Sequence, residues 1–580
     1  MGKGEIIKIL KEIGVLLELK GENAFKVRAY QSGARTLERL EDNFEQIVEA
    51  GRLKELKGIG QALVQKIELL YREGRLPFYE DLKASVAPGL LEFLEIPGLG
   101  GKKVKVIYDQ LGIDTMDALK EACTSGTIEA LEGFGKKSAE KILSGIENRK
   151  AYGKRHLWWS VTDLVERILD ILRAHPSTIR AEVAGSYRRC METVGDLDFI
   201  VASESASELM ELFVALEGVK EVTAKGITKS SVRFESGIQA DLRVVPEEAF
   251  VFALHHFTGS KDHNVLMRQR ALSMGYRLSE WGIFNKNSDD AEPLKVSSEI
   301  QSECDLFKFF KLSPIVPELR EGFDEVSRAE ASNMPSLVQA SSIKGVFHNH
   351  TTASDGLDTL EDMVKAAERL GWSYIGFADH SKASYQANGL SEDRVLKLID
   401  SIKQFNESKQ SKVKVFSGIE CDILSDGRLD LEQSVLEQLD YVVASVHSGF
   451  TQSESEMTQR IIKAIEQPVV TMLGHPTGRL LLRREAYAVN IDKIIDAAIA
   501  NKVIIEINAN PQRLDMDWRH WRKGLDRGLL CSINPDAHST QHLDYFRAGV
   551  NIARKAGMED HHIINTRNVS DVSLLFTEGY

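Results

Sequence analysis

The feature that most constrains this chain lies in its C-terminal half. Seven short apolar runs alternate there with segments of helical pattern: GVFHNH (345–350), YIGFADH (374–380), KVFSGIE (414–420), YVVASVH (441–447), VVTMLGH (469–475), VIIEIN (503–508) and CSINPDAH (531–538). Such alternation marks β/α units on a parallel sheet. Six of the seven runs end in metal-binding side chains: His348 and His350, His380, Glu420, His447, His475, and Asp536 with His538. In a β/α barrel the C-terminal strand ends converge on one mouth, so these residues would line one cavity. Asp355, on the loop after the first run, joins them. A lone buried histidine is usually a hydrogen-bonded core residue, but six at strand ends are not explained that way. Imidazole and carboxylate suit Zn2+ or Mn2+, and nine candidates are too many for one ion. Two or three ions are expected, with Glu420 and Asp536 as bridges.

The remaining residues require further domains. At 580 residues the chain exceeds a single core, and about four domains or subdomains are expected. A hydrophobic content of 43% with 27% charged residues is that of a soluble globular protein. No apolar run approaches the ~18–20 residues a membrane helix needs. Charges interrupt the apolar pattern of MGKGEIIKIL, which excludes a secretory signal. Five scattered cysteines without a CxxC fit reduced thiols, and the expected location is the cytoplasm. The net charge of −13 is unevenly spread: residues 1–160 carry 26 Lys+Arg against 24 Asp+Glu, and the remainder 47 against 62. The N-terminal part can therefore present basic patches to a phosphate backbone.

That N-terminal part holds a threefold repeat: LKGIGQALVQKI (56–67), IPGLGGKKVKVI (96–107) and LEGFGKKSAEKI (131–142). The paired glycines are Gly58 and Gly60, Gly98 and Gly100, Gly133 and Gly135. A small or β-branched residue follows six after the first glycine (Val64, Val104, Ala139) and an isoleucine nine after it (Ile67, Ile107, Ile142). The pattern predicts helix–tight turn–helix, with glycine permitting the turn and the next helix offering free amides to phosphate. It resembles the helix-hairpin-helix motif of DNA binding that does not read sequence, and Lys102, Lys103, Lys136 and Lys137 stand beside the glycines.

A second metal signal is VAGSYRRCMETVGDLDFIVAS (183–203). Asp196 and Asp198 are two apart in a strand-like run, so they share a face, and a divalent cation is the usual partner of such a pair. Asp241, in IQADLRVVP, lies in another strand-like run. Gly185-Ser186, then GDLD, then a distant Asp is the nucleotidyltransferase signature. With the hairpins before it and FTGSKDHN (257–264) after it, the chain resembles an X family DNA polymerase. The resemblance implies a palm and thumb performing two-metal phosphoryl transfer with Mg2+ or Mn2+. Asp196 and Asp198 would hold both ions and Asp241 the one at the primer 3′-oxygen. Gly185, Ser186 and Arg189 match positions at the β- and γ-phosphates. Gly259 and Ser260 match the turn beside the sugar, and Asn264 and Arg268 positions near the nascent pair and template. Gln239 and His256-Phe257 depart from the family, which often has Arg and Tyr-Phe there.

Residues 1–80 resemble the lyase-type domain of these polymerases. Lys66 matches its Schiff-base amine, and Tyr30 and Lys26 match its pocket, while Phe25 and Ala62 replace a His and a Lys of its 5′-phosphate pocket. The C-terminal half resembles the PHP (polymerase and histidinol phosphatase) domain, which implies phosphoester hydrolysis. Arg513, in NANPQR, is a candidate phosphate contact, with an ordinary surface arginine as the competing reading.

The expected fold class is thus multidomain α+β and α/β. It comprises a helical lyase-like domain with the first hairpin (1–82), a helical domain with two more (83–155), a palm (156–250), a thumb (251–312), a proline-containing linker (313–342) and a distorted (β/α)7 barrel (343–578). The expected partners are gapped or nicked double-stranded DNA and dNTPs, with the protein a monomer. The expected activities are gap filling and metal-dependent 3′-end trimming, with incision at abasic sites as a further one. The competing readings are a small-molecule phosphatase and a DNA-binding repair scaffold with a weak polymerase site.

Overall fold

The computed structural model describes all residues except 2, 39, 41–43, 57, 95, 97–98, 153–154, 287–292 and 579–580. Contacts divide the chain into two units, Met1–Gly153 and Lys154–Tyr580. Among the described residues no helix is long and apolar enough to cross a membrane.

The first unit is helical, and its repeat has a packing explanation. All six spaced positions, Val64, Val104, Ala139, Ile67, Ile107 and Ile142, are buried. Each second glycine lies immediately before a helix: Gln61–Glu73, Gly101–Leu111 and Lys136–Tyr152. Gly58 and Gly133 adopt φ of +96° and +82°, where a side chain would be strained. Gly98 lies outside the described residues. One apolar core runs from Ile6 to Ile146, so no break in packing marks the 82/83 boundary expected from the sequence.

The second unit begins with a five-stranded sheet, in spatial order Arg180–Val183, Asp196–Ala202, Gln239–Val245, Lys229–Phe234, Val219–Lys225. Alternation along Asp196–Ala202 divides its side chains between two cores. Leu197, Phe199 and Val201 pack with Leu209 and Phe213, while Ile200 and Ala202 pack against Phe250 and Ala253. Helices Phe250–Thr258 and Lys261–Ser273 follow, then a hairpin of Tyr276–Ser279 with Gly282–Asn285.

Residues 313–342 are not a free linker. Pro317 opens a 3-10 turn, Glu325–Glu330 is helical, and Ile315, Leu319, Arg320 and Ala329 are buried. Pro317 serves a local turn, and the apolar residues complete the core that contains Phe252, Phe307 and Phe310.

All seven apolar runs of the C-terminal half form strands in one parallel sheet whose spatial order equals sequence order. The first and last runs meet through an isolated bridge, Asn349 with Ala537, which closes the barrel. Tyr374, Phe416, Tyr441 and Ile504, near the N-terminal strand ends, pack with Val572 and Leu575 of the helix Val569–Glu578 and floor the barrel. The opposite end is left to the ligand-type side chains.

Candidate metal centres

At the barrel mouth the candidates of the apolar runs lie just past their strand ends, except Glu420, which stands two residues before the end of Lys414–Asp422. Glu420 is the hub. Its carboxylate has five imidazoles around it: His380 Nδ1 and His475 Nε2 at 2.8 Å, His447 Nε2 at 3.1 Å, His348 Nε2 at 3.4 Å and His350 Nε2 at 3.8 Å. Asp536 lies 3.1 Å from His350 Nε2 and 3.7 Å from His538 Nδ1. Asp355 approaches His538, His350 and His380 at 3.5–3.7 Å. Three groups of ligand atoms fall within 4.8 Å of one another: His350, Asp355, His380 and His538; His348, His350 and Asp536; His380, Glu420 and His447. His475 stands outside these groups but against Glu420.

This set fits divalent ions. His348 Nε2, His350 Nδ1 and His475 Nδ1 are buried with no hydrogen-bond partner among the described residues, an arrangement that costs free energy unless something fills it. Electrostatics agree. Burial opposes ionisation of Glu420, but His447, His348 and His380 outweigh it and hold the carboxyl well below its usual range. Burial, then His538 and His380, push His350 down to about 3, leaving it the neutral imidazole a metal needs. Burial resists protonation of His447 and His538, yet Glu420 carries the former up to about 10 and Asp355 the latter up to about 9. His475 and Asp536 have φ of +22° and +51°, a strained backbone of the kind found where side-chain placement matters.

The sequence reading missed what aims these ligands. Glu506, fully buried, accepts from His348 Nδ1 at 2.7 Å and from the His475 amide at 2.8 Å. It comes from VIIEIN, the one run credited with no ligand. Asp422 lies 3.2 Å from His447 Nδ1, turning Nε2 toward Glu420. Asp379 accepts from Thr351 and Ser354 and so fixes the loop of Asp355. Such partners set tautomer and ring orientation. Both Asp422 and Asp379 stood beside named candidates in GIECD and FADH, which was the available signal. Arg513 is no plain surface residue: its Nε lies 3.5 Å from Asp536 Oδ2.

The palm gathers the second set. The strands of Asp196 and Asp241 pair in parallel with Asp198 opposite Asp241. Burial, then Asp196 and Asp241, raise Asp198 to about 7. Asp241 is instead lowered: burial opposes this, but Lys229 (2.6 Å), Ser231 and Gln239 outweigh it. Gln239, the departure noted above, donates to Asp241 Oδ1 at 3.0 Å and helps to orient it. Lys229, on the adjoining strand, was not foreseen.

Gly185 has φ +64°, and a Cβ there would lie 2.5 Å from Asp198 Oδ2, so glycine is required for the close approach. Ser186 is half-buried beside it in the turn Gly185–Arg188. Arg189 donates from Nη1 to the Thr258 carbonyl (2.6 Å) and from Nε to Glu321 (3.0 Å). Gly259 has φ +67°, and Ser260 caps the next helix by accepting from the His263 amide. Asn264 is turned to the His256 carbonyl, while Arg268 is exposed and lines a cavity with Arg277 and Phe284.

In the first unit Lys66 Nζ lies 4.9 Å from the Phe78 ring centroid and 5.9 Å from that of Tyr30. Burial, then the charge of Lys26, hold its ammonium pKa below the usual value.

The fold and its two carboxylate centres define a nucleotidyltransferase-type palm joined to a PHP-type metal barrel. Comparisons agree. Residues 1–76 and 90–148 match helix-hairpin-helix families, 253–321 the DNA polymerase beta thumb, and 347–510 the PHP domain. The chain is 38% identical over 574 residues, 99% of each protein, to the DNA polymerase/3′-5′ exonuclease PolX of Bacillus subtilis (strain 168). It is also 26% identical, over 38% of its length and 89% of the relative's, to a probable phosphatase of Thermoanaerobacter sp. (strain X514). The chain belongs to the PolX family of X family DNA polymerases with a C-terminal PHP domain.

Proposed function

We propose that this protein is a DNA repair polymerase that adds dNTPs at short gaps and trims 3′ ends at a separate phosphoesterase centre. The observation that carries the reading is that one chain holds two distinct carboxylate-rich centres, each with its ligands converging from distant segments. Asp196, Asp198 and Asp241 would hold Mg2+ or Mn2+ in the palm. His348, His350, Asp355, His380, Glu420, His447, His475, Asp536 and His538 would hold two or three Mn2+ or Zn2+ ions in the barrel. At both centres the ions would supply positive charge to the phosphoryl group undergoing transfer. Arg189 and Ser186 would grip the triphosphate. Arg513, beside Asp536, is suited to bind the phosphodiester being cut. The glycine turns of the first unit, with exposed lysines beside them, suit DNA phosphates irrespective of sequence.

The test separates the centres on a labelled gapped primer–template. His350→Ala should abolish 3′ trimming and spare extension, and Asp198→Asn should do the reverse. Trimming at the wild-type rate in His350→Ala would refute the barrel assignment.

A further inference from the structure

Two side chains of the PHP barrel reach into the palm on either side of one short segment. Lys555, fully buried on the helix Phe546–Ala556, pairs with Glu321 and donates to the Arg189 carbonyl at 3.0 Å. Glu321 is the same carboxylate that accepts from Arg189 Nε. Arg479, four residues past His475, donates to Glu192 at 2.6 Å and, from Nε, to the Arg513 carbonyl at 2.9 Å. Glu192 lies three residues after Arg189 and four before Asp196. The segment between the phosphate-gripping turn and the catalytic aspartates is thus pinned at both ends by the barrel.

Charge gives the pinning a consequence. Arg189 already spends Nε on Glu321 and Nη1 on Thr258. Arg189, Glu321 and Lys555 together carry +1. Without Lys555 the cluster is neutral, and Glu321 holds Arg189 as its sole cation. A triphosphate arriving there would meet an internally satisfied ion pair in a partly desolvated setting, where such pairs are costly to break.

We propose that Lys555 is a positioning residue for the polymerase reaction: the PHP barrel, by neutralising Glu321, keeps Arg189 available for the incoming dNTP. This rests on the polymerase reading above. The test is steady-state extension of a gapped primer–template against dNTP concentration, using the full chain. Lys555→Met should raise KM for dNTP by about tenfold, the effect of roughly one ionic contact, with kcat nearly unchanged. Lys555→Arg should restore the wild-type KM. Lys555→Met with Glu321→Gln should recover most of the loss, because the cluster again carries +1; a lesion of packing alone would not be rescued. Trimming by Lys555→Met should equal wild type, which reports a folded barrel.

Wild-type KM in Lys555→Met, or no rescue in the double variant, overturns the proposal. Should Lys555→Met lose trimming as well, Glu321→Gln alone decides: KM below wild type upholds the proposal, and an unchanged KM overturns it. Failure of the wild-type chain to extend at all overturns the polymerase reading itself, and this inference with it.

Discussion

At the scale of single residues, the chemistry is set by neighbours that carry no ligand atom themselves. Glu506 holds His348 and the backbone of His475, so Glu506→Gln should weaken Mn2+ affinity at the barrel by about 10- to 100-fold while leaving extension intact. Calorimetric titration checks this; unchanged affinity would mean that His348 needs no such partner. Lys66 gives a pH prediction. Were Lys66 the Schiff-base nucleophile, the attacking species would be the neutral amine, whose pKa burial with Lys26 lowers. Borohydride trapping on an incised abasic duplex should therefore rise with pH, with a midpoint below the ~10.4 of an ordinary lysine. Lys66→Ala should abolish the adduct. An equal yield from that variant removes Lys66 as the nucleophile. The candidate ligands, and their convergence on one mouth, were legible in the sequence because strand ends announce themselves: an apolar run stops at a histidine or acid. Glu506 was not, because it sits inside an apolar run and its meaning depends on which strand stands beside which. Lys229 and Glu321 were hidden for the same reason, being partners only through the folded sheet and the packed segment after the thumb.

At the scale of elements, the hairpins show how a repeat becomes a surface. Burial of Val64, Val104 and Ala139 orients each second helix, and the helices after Gly60 and Gly100 start with no side-chain cap on their first amides. Gly133→Ala, at φ +82°, should cost on the order of 1–3 kcal/mol of local strain. DNA affinity should fall equally across sequences, and the salt dependence of binding should flatten by about one phosphate contact. Binding measured at several salt concentrations checks this. A loss confined to some sequences would indicate base reading instead. The repeat itself was readable, because its spacing is a packing constraint. The segment 313–342 was misread as a linker because proline opens a tight turn as readily as it breaks structure, and only burial of Leu319 and Arg320 distinguishes the two.

At the scale of the whole molecule, the barrel closes without a strand ladder between its first and last runs: Asn534 and Asn565 side chains reach across the seam to Phe347 and Gly345. Its first strand is Gly345–Val346, and an isolated bridge joins the first run to the last. Yet two of the three ligand groups take residues from both runs: His348 and His350 with Asp536, and His350 with His538. An ion bound there would act as a clasp across the seam, fastening two ends of chain nearly two hundred residues apart, a closure that is otherwise entropically expensive. Metal removal should then open the structure at one place rather than soften it everywhere. Amide exchange in chelator-treated protein should quicken first at 345–350 and 531–538, while Lys414–Asp422, which pairs with strands on both sides, stays protected. Uniform quickening would show that the ions stabilise the barrel as a whole. If the clasp holds, ions bound to serve phosphodiester cleavage would also be the fastening that keeps the barrel a barrel, and a cell short of metal would lose the shape of this domain along with its activity.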